Sequence, residues 1–381
     1  MDDQQFKAPL ESAVNSPVWV IKIGSAILTD YGKTIDRALI TALAQQISQL
    51  RQAGKQVILV SSGAIAAGIQ KLGWAEKPSA LPKQQAAAAV GQAVLARVYE
   101  EIFFTQGIQT AQILLTHEDA ADRKRYLNIR ATVNALLDSG ILPIVNENDT
   151  VSFDEIRFGD NDNLGAMVAN LTHAGMYVIL TDQNGLYDAD PREHPSAKLV
   201  RYDFADNPML DTYIGQSKST LGSGGMLTKL QAARKAMNSG TATAITHGHR
   251  GNNIVSLLTG DFEGTLLFSH QGVPAKKQWL ASQLQTRGTL IVDEGAAQAL
   301  LAQGKSLLSI GIVRIAGHFP RGAIVSVVDN KGIEIAKGIV NYGSQDLEKI
   351  IGIPSYEIAN VLGFVLEKHI IHRDNLALVS G

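Results

Sequence analysis

Residues 56–73, QVILVSSGAIAAGIQKLG, decide how this chain folds. The run QVILV is apolar, β-branched and short, as expected of a strand buried on both faces. SSGA breaks that run, and AIAAGIQKLG has helical periodicity closed by a glycine. The same order recurs to either side. Upstream, VWVIKI (18–23) reads as a buried strand, followed by GSAILTDYG and a periodic helix over 36–54. Downstream, KQQAAAAVGQAVLARVYEEIF is a long Ala-rich helix, IQTAQILLT a strand, RKRYLNIRATVNALLDSG a helix, and ILPIVNEND a strand that runs into a loop. A helix after GDNDN leads to the strand MYVILTD, and NGLYDADPREHP is loop by its Asn-Gly and prolines. GMLTKLQAARKAMNSG is a further helix, and TATAITHG and TLLF are short strands. Apolar strands alternating with helices predict an α/β fold with a mainly parallel sheet covered on both faces.

That pattern runs to about residue 270, where the texture changes to short alternating strands, frequent glycines and one helix, the signature of a small β-rich domain. The expected division is a flexible leader at 1–16, an α/β domain at 17–272, a linker at 273–286, a β-rich domain at 287–370 and a tail at 371–381. Two domains suit a chain of 381 residues. At 45% hydrophobic and 18% charged residues, both can bury a core. Lys and Arg total 34 against 36 for Asp and Glu, which argues against a strongly basic nucleic-acid binder. The absence of cysteine removes disulfides, thiolate catalysis and cysteine-ligated zinc. The first residues lack the apolar core of a signal peptide, and no apolar run reaches membrane-spanning length, so the expected setting is the cytosol.

Ligands of open α/β sheets bind beyond the carboxyl ends of the strands. Those ends carry KIGSA (22–26), SSGA (61–64), NEND (146–149) and TDQNGLY (181–187), to which GDNDN (159–163) and LGSGGMLTK (221–229) are added. Gly24, Gly63, Gly224 and Gly225 let backbone N–H groups approach an anion. Neither a Walker A loop nor a Rossmann fingerprint is present, so nucleotide binding would use another design. Lys22 stands in an otherwise apolar strand, where a charge is costly unless it is paired or faces a ligand. Lys229 falls in the first turn of a helix, where the dipole disfavours a cation unless an anion is also there. Four consecutive Asp and Asn residues, Asp160 to Asn163, exceed what one helix cap requires. The histidines read as structural or surface groups: His117 after a strand, His247 and His249 in a loop, His369 and His372 near the C-terminus.

The chain resembles the glutamate 5-kinases, amino acid kinases with a C-terminal PUA-type domain. KIGSAILT, LVSSGAIAAG, DRKRYLNIR, PIVNENDTV, GDNDNL, LTDQNGLYDADP and GGMLTKLQAA carry the resemblance, in the family's order and spacing, over nearly the whole chain after the leader. It implies an amino-acid-kinase-like three-layer sandwich and a PUA-like second domain. It also implies ATP-dependent phosphorylation of the L-glutamate γ-carboxylate, with Mg²⁺, inhibition by proline and a dimeric or tetrameric assembly. Lys22 and Lys229 would contact the phosphates and the transferring group, and Asp162 would hold both lysines in position. Ser62, Asn146, Asp149 and Asn161 would hold glutamate. Thr181 and Asp182, with Ser223, Gly224, Gly225, Met226, Leu227, Thr228 and Lys229, would form the nucleotide site. Asp160 would shape the loop or a hydrated metal, and Asn163 would cap the helix. Ala26 stands where the family often has a hydroxyl residue, and Ser223 replaces a common Thr. Two other readings exist: a kinase of the same fold with another acceptor, and an RNA-binding protein built on the PUA-like domain. Nine basic and nine acidic residues from Arg287 onward weigh against RNA.

Overall fold

The computed structural model describes residues 4–29, 34–116, 118–119, 122–151, 161–215, 225–269 and 286–379. The chain divides into two compact units, the first comprising residues 1–121 and 132–272, the second residues 122–131 and 273–381.

The first unit is built on an eight-stranded sheet of order β3-β4-β2-β1-β5-β7-β8-β6. Its strands are β1 (Val18–Ile23), β2 (Gln56–Val60), β3 (Thr110–Leu115), β4 (Leu142–Glu147), β5 (Met176–Thr181), β6 (Tyr202–Phe204), β7 (Ala242–His247) and β8 (Thr265–Phe268). β1 lies near the centre, parallel to β2 on one side and β5 on the other, with Lys22 opposite Val60 and Ile179. Every residue of β4 and β5 is buried, as continuous apolar strands covered on two faces require. β8 pairs antiparallel with β7, so β8 and the β6 beyond it run against the other six strands. The three-residue β6, which pairs parallel to β8, has no sequence signal of its own.

Helices α1 (Gln4–Asn15), α2 (Ser25–Leu28), α3 (Arg37–Gln52), α4 (Ala64–Leu72) and α5 (Leu81–Phe104) precede β3 in the chain. α4 and α5 meet backbone to backbone. A Cβ on Gly68 would lie 1.7 Å from the Ala87 carbonyl oxygen, and one on Gly91 would lie 1.8 Å from that of Ala64, so both positions require glycine. The leader expected at 1–16 to be flexible is instead α1. Phe6 and Ala13 are buried, and Phe6 stacks on Tyr202 and Phe268 with ring centroids 5.7 and 5.6 Å apart. Burying that ring offsets the entropy of ordering a short helix that contains Pro9.

Helix α6 (Arg123–Asp138) begins in the second unit and ends in the first. The second unit otherwise holds a five-stranded sheet of order β10-β9-β11-β12-β13, made of β9 (Thr289–Val292), β10 (Ile312–Ala316), β11 (Ile324–Val328), β12 (Glu334–Ile339) and β13 (Leu376–Leu378). β9 and β11 are parallel and the other pairs antiparallel. Three α-helices, Glu294–Gln303, Ser344–Ile350 and Ile358–Leu362, stand where one was expected. The segment expected to be a tail from 371 contributes β13, whose Ala377 pairs with Lys337 and is buried with Leu127, Ile324 and Ile339. The expected linker, except for its last residue, lies outside the described residues.

Candidate active site

Parallel pairing brings the carboxyl ends of β1, β2, β4 and β5 to one edge of the sheet. Over this edge lie α7 (Asn161–Thr172) and, after α8 (Met209–Gly215), helix α9 (Met226–Met237). Lys22 at the end of β1, Asp162 in the first turn of α7 and Lys229 in the first turn of α9 converge there, each at most 5% exposed. Lys22 Nζ donates to Asp162 Oδ1 at 2.5 Å, and Lys229 Nζ donates to Oδ2 at 3.2 Å. Thr228 Oγ1 adds a third bond to Oδ2 at 2.9 Å. The Asp162 backbone is held as well. Tyr177 of β5 donates its hydroxyl to the Asp162 carbonyl at 2.8 Å, and a Cβ on Gly165 would lie 2.3 Å from that hydroxyl.

The charges decide what this cluster can do. Burial alone would push the Asp162 carboxyl up, but the two lysines and Thr228 hold it well below the ordinary carboxylate range. Burial, with the Lys22 charge behind it, pushes the Lys229 ammonium down against the pull of Asp162. One carboxylate neutralises one of two ammonium groups. The remaining positive charge sits at two helix N-termini, an arrangement suited to an anion.

A polar array continues from α7 toward β4. Asn161 Nδ2 donates to the Ser61 carbonyl at 2.6 Å, to Ser62 Oγ at 3.0 Å and to Asn146 Oδ1 at 3.0 Å. With its amide hydrogens engaged, Asn161 faces outward through its oxygen. Ser62 accepts that bond and keeps its own proton to donate. Asn146 Nδ2 in turn donates to Gln92 Oε1 of α5 at 2.7 Å. Ser61 Oγ shares a 2.9 Å bond with the Tyr99 hydroxyl, whose burial pushes its pKa well up. Asp149 follows β4, half-buried.

On the β5 side, Thr181 Oγ1 donates to Asp182 Oδ1 at 3.0 Å, and Asp182 is exposed. Gly225 caps α9 in extended conformation, Met226 is half-buried and Leu227 is 45% exposed. Ser223, Gly224, Asp160 and His117 lie outside the described residues. Two expectations change. The Gly24 N–H donates to the Leu180 carbonyl at 3.2 Å and so is not offered to an anion. Asn163 is the third residue of α7 and buried, inside the helix rather than capping it. Gly63 caps α4 at φ 85°, and a Cβ there would lie 2.9 Å from Thr29 Cγ2, a turn and a close approach that both select glycine.

Sequence reasoning missed Gln92 and Tyr177. Gln92 is hidden in an Ala-rich helix whose only mark is the Gly before it, and Tyr177 in a strand that reads as pure core. His247 ends β7 half-buried beside exposed His249, and among the described residues no group of three His, Asp or Glu is placed to hold a metal ion. A separate groove of about 650 Å³ is lined by Arg37, Lys71, Arg97, Glu101 and valines of α5, and shares no residue with this site.

Residues 17–247 match the amino acid kinase family and residues 288–362 the PUA domain. The chain is 52% identical over 367 residues to a glutamate 5-kinase of Methylobacillus flagellatus, covering 96% of this chain and 99% of that protein. It is 51% identical over 362 residues to a glutamate 5-kinase of Pseudomonas putida, covering 95% and 97%. A solved isopentenyl phosphate kinase superposes with a TM-score of 0.45 at 16% identity, covering 66% of this chain and 99% of that one.

Proposed function

The chain belongs to the glutamate 5-kinases, amino acid kinases that carry a C-terminal PUA domain, and on that premise we propose how its site transfers a phosphoryl group from ATP to the γ-carboxylate of L-glutamate. The product is L-glutamyl 5-phosphate, formed in the first step of proline biosynthesis. The observation that carries the reading is the Lys22–Asp162–Lys229 cluster, one residue along α7 from the Asn161 array.

A carboxylate with a pKa near 4 is already ionised at neutral pH, so the reaction needs no general base. A γ-carboxylate oxygen forms the new bond to phosphorus, the bond to the bridging oxygen of ATP breaks, and ADP leaves with that electron pair. No proton moves. The obstacle is repulsion between the carboxylate and the phosphate chain. Lys22 and Lys229 answer it by neutralising phosphoryl oxygens as the group passes, while Asp162 keeps both ammonium groups in place. Thr181, Asp182 and the segment 223–229 hold the nucleotide. Ser62 and Asn146 donate to glutamate, and Asn161 Oδ1 and Asp149 accept from its α-ammonium.

Mg²⁺ entering with ATP would supply charge neutralisation at the phosphates. It binds chiefly through those phosphates and needs no dedicated protein cage, which fits a site whose buried carboxylate is committed to lysines. Among the described residues no helix is long and apolar enough to cross a membrane, in keeping with a cytoplasmic enzyme. Inhibition by proline, through overlap with the glutamate site, and assembly into a dimer or tetramer complete the proposal. Incubation with L-glutamate, MgATP and hydroxylamine tests it. Glutamate-dependent hydroxamate and ADP, both suppressed by proline and restored by more glutamate, are expected. No hydroxamate would defeat the kinase reading, and inhibition that glutamate cannot relieve would defeat the overlap.

A further inference from the structure

The polar array has a direction, and that direction gives Gln92 a role. The Glu147 backbone N–H donates to Asn146 Oδ1 at 2.9 Å, and Asn161 Nδ2 donates to the same oxygen at 3.0 Å. Both lone pairs of that oxygen are then used. Asn146 therefore reaches outward only through Nδ2, which donates to Gln92 Oε1 at 2.7 Å. This bond turns the Gln92 oxygen toward Asn146 and leaves its NH₂ group as the donor. Gln92 Nε2 finds no acceptor among the described residues, and the side chain is half-buried rather than sealed in the core. Gly91 makes the placement possible, because its missing Cβ lets α5 close on the Ala64 carbonyl.

Position along the sheet edge says which part of a substrate this donor meets. Lys22 lies on β1 and Asn146 on β4, with β2 between them. At roughly 4.8 Å per strand their backbones are about 10 Å apart, a span that extended glutamate can cover with a contact at each end. The γ-carboxylate must lie toward the lysines, so the Gln92 end of the array faces the α-carbon.

We propose that Gln92 is a substrate-binding residue whose Nε2 donates to the α-carboxylate of the acceptor and so selects for a free α-carboxylate. The proposal rests on the glutamate kinase reading above. Gln92→Glu tests it, because the variant keeps an oxygen for Asn146 and nearly the same volume but replaces the donor with a carboxylate. KM for glutamate should rise about 10- to 100-fold, as expected for loss of a hydrogen bond to a charged group, with KM for ATP and thermal stability unchanged. The preference for L-glutamate over L-isoglutamine, which has an α-carboxamide and the same γ-carboxylate, should fall by at least about tenfold, since the amide can donate to the new carboxylate. If Gln92 only anchors Asn146, Gln92→Glu will match the parent in KM and preference while Gln92→Leu is impaired, and that pattern overturns the proposal. Equal increases in both KM values, with lowered stability, also overturn it. A parent enzyme inactive on glutamate would instead sink the underlying reading.

Discussion

Asp162 places three donors on two carboxylate oxygens in a position 1% exposed, and both lysines depend on it. Lys22→Ala or Lys229→Ala should each lower kcat about 10²- to 10³-fold, the scale of losing one preorganised electrostatic group, without unfolding the protein. A near-normal kcat in either purified variant would remove that lysine from the mechanism. Asp162→Asn should show its effect on stability against pH. The folded carboxyl titrates below its unfolded value of about 3.9, so its contribution is present above that pH and is lost as pH falls toward the folded value. The parent should therefore lose thermal stability below about pH 4 more steeply than Asp162→Asn, although the variant starts lower with two buried lysines unpaired. Parallel melting-temperature profiles would show that Asp162 is not held ionised by its partners. The cluster was readable because charges in apolar settings stand out: Lys22 in an apolar strand, Lys229 at the wrong end of a helix, and four Asp and Asn residues at the start of a helix. Gln92 and Tyr177 were not, because a glutamine in a helix and a tyrosine in a strand violate no local rule.

At the scale of elements, the β–α alternation gave the parallel sheet directly, since each buried strand is a continuous apolar run. β6 and α1 were illegible for a related reason. Three residues are too few for a period, and α1 gains its order from partners about 200 and 260 residues away, Tyr202 and Phe268. Phe6→Ala should cost about 3 kcal/mol in urea-induced unfolding, the lower end for a buried phenylalanine. A change within error would mean that α1 is not docked in solution. Gly91→Ala acts at the opposite limit, adding one methyl where the α4 backbone leaves no room. Overpacking of this kind costs about 1–3 kcal/mol, and separation of α4 from α5 should also move Gln92 and raise KM for glutamate. Lowered stability with unchanged KM would separate the helix contact from the substrate site.

For the whole molecule, the change of texture near residue 270 located a second domain, yet the compact unit there also takes in residues 122–131. No periodicity could disclose this. Leu127 is an ordinary apolar residue on a helix until it meets Ile324, Ile339 and Ala377, roughly 200 to 250 positions later. The chain end was misread for the same reason, since three residues of β13 become a strand only by pairing with β12. The consequence is that the last residues hold together a unit drawn from two distant parts of the chain. Ending the chain after His372 removes Leu376 and Ala377, which are 5% and 1% exposed, and uncovers Leu127. That truncation should cost about 2–5 kcal/mol in urea-induced unfolding, as for other losses of a buried aliphatic side chain. Ending it after Val379 keeps every β13 pairing and the Val379 N–H bond to the Ile335 carbonyl, and should change stability by less than about 0.5 kcal/mol, as surface changes do. If both truncations melted together with the parent, residues 371–381 would be the tail that their sequence suggests, and β13 would contribute nothing to the unit's stability.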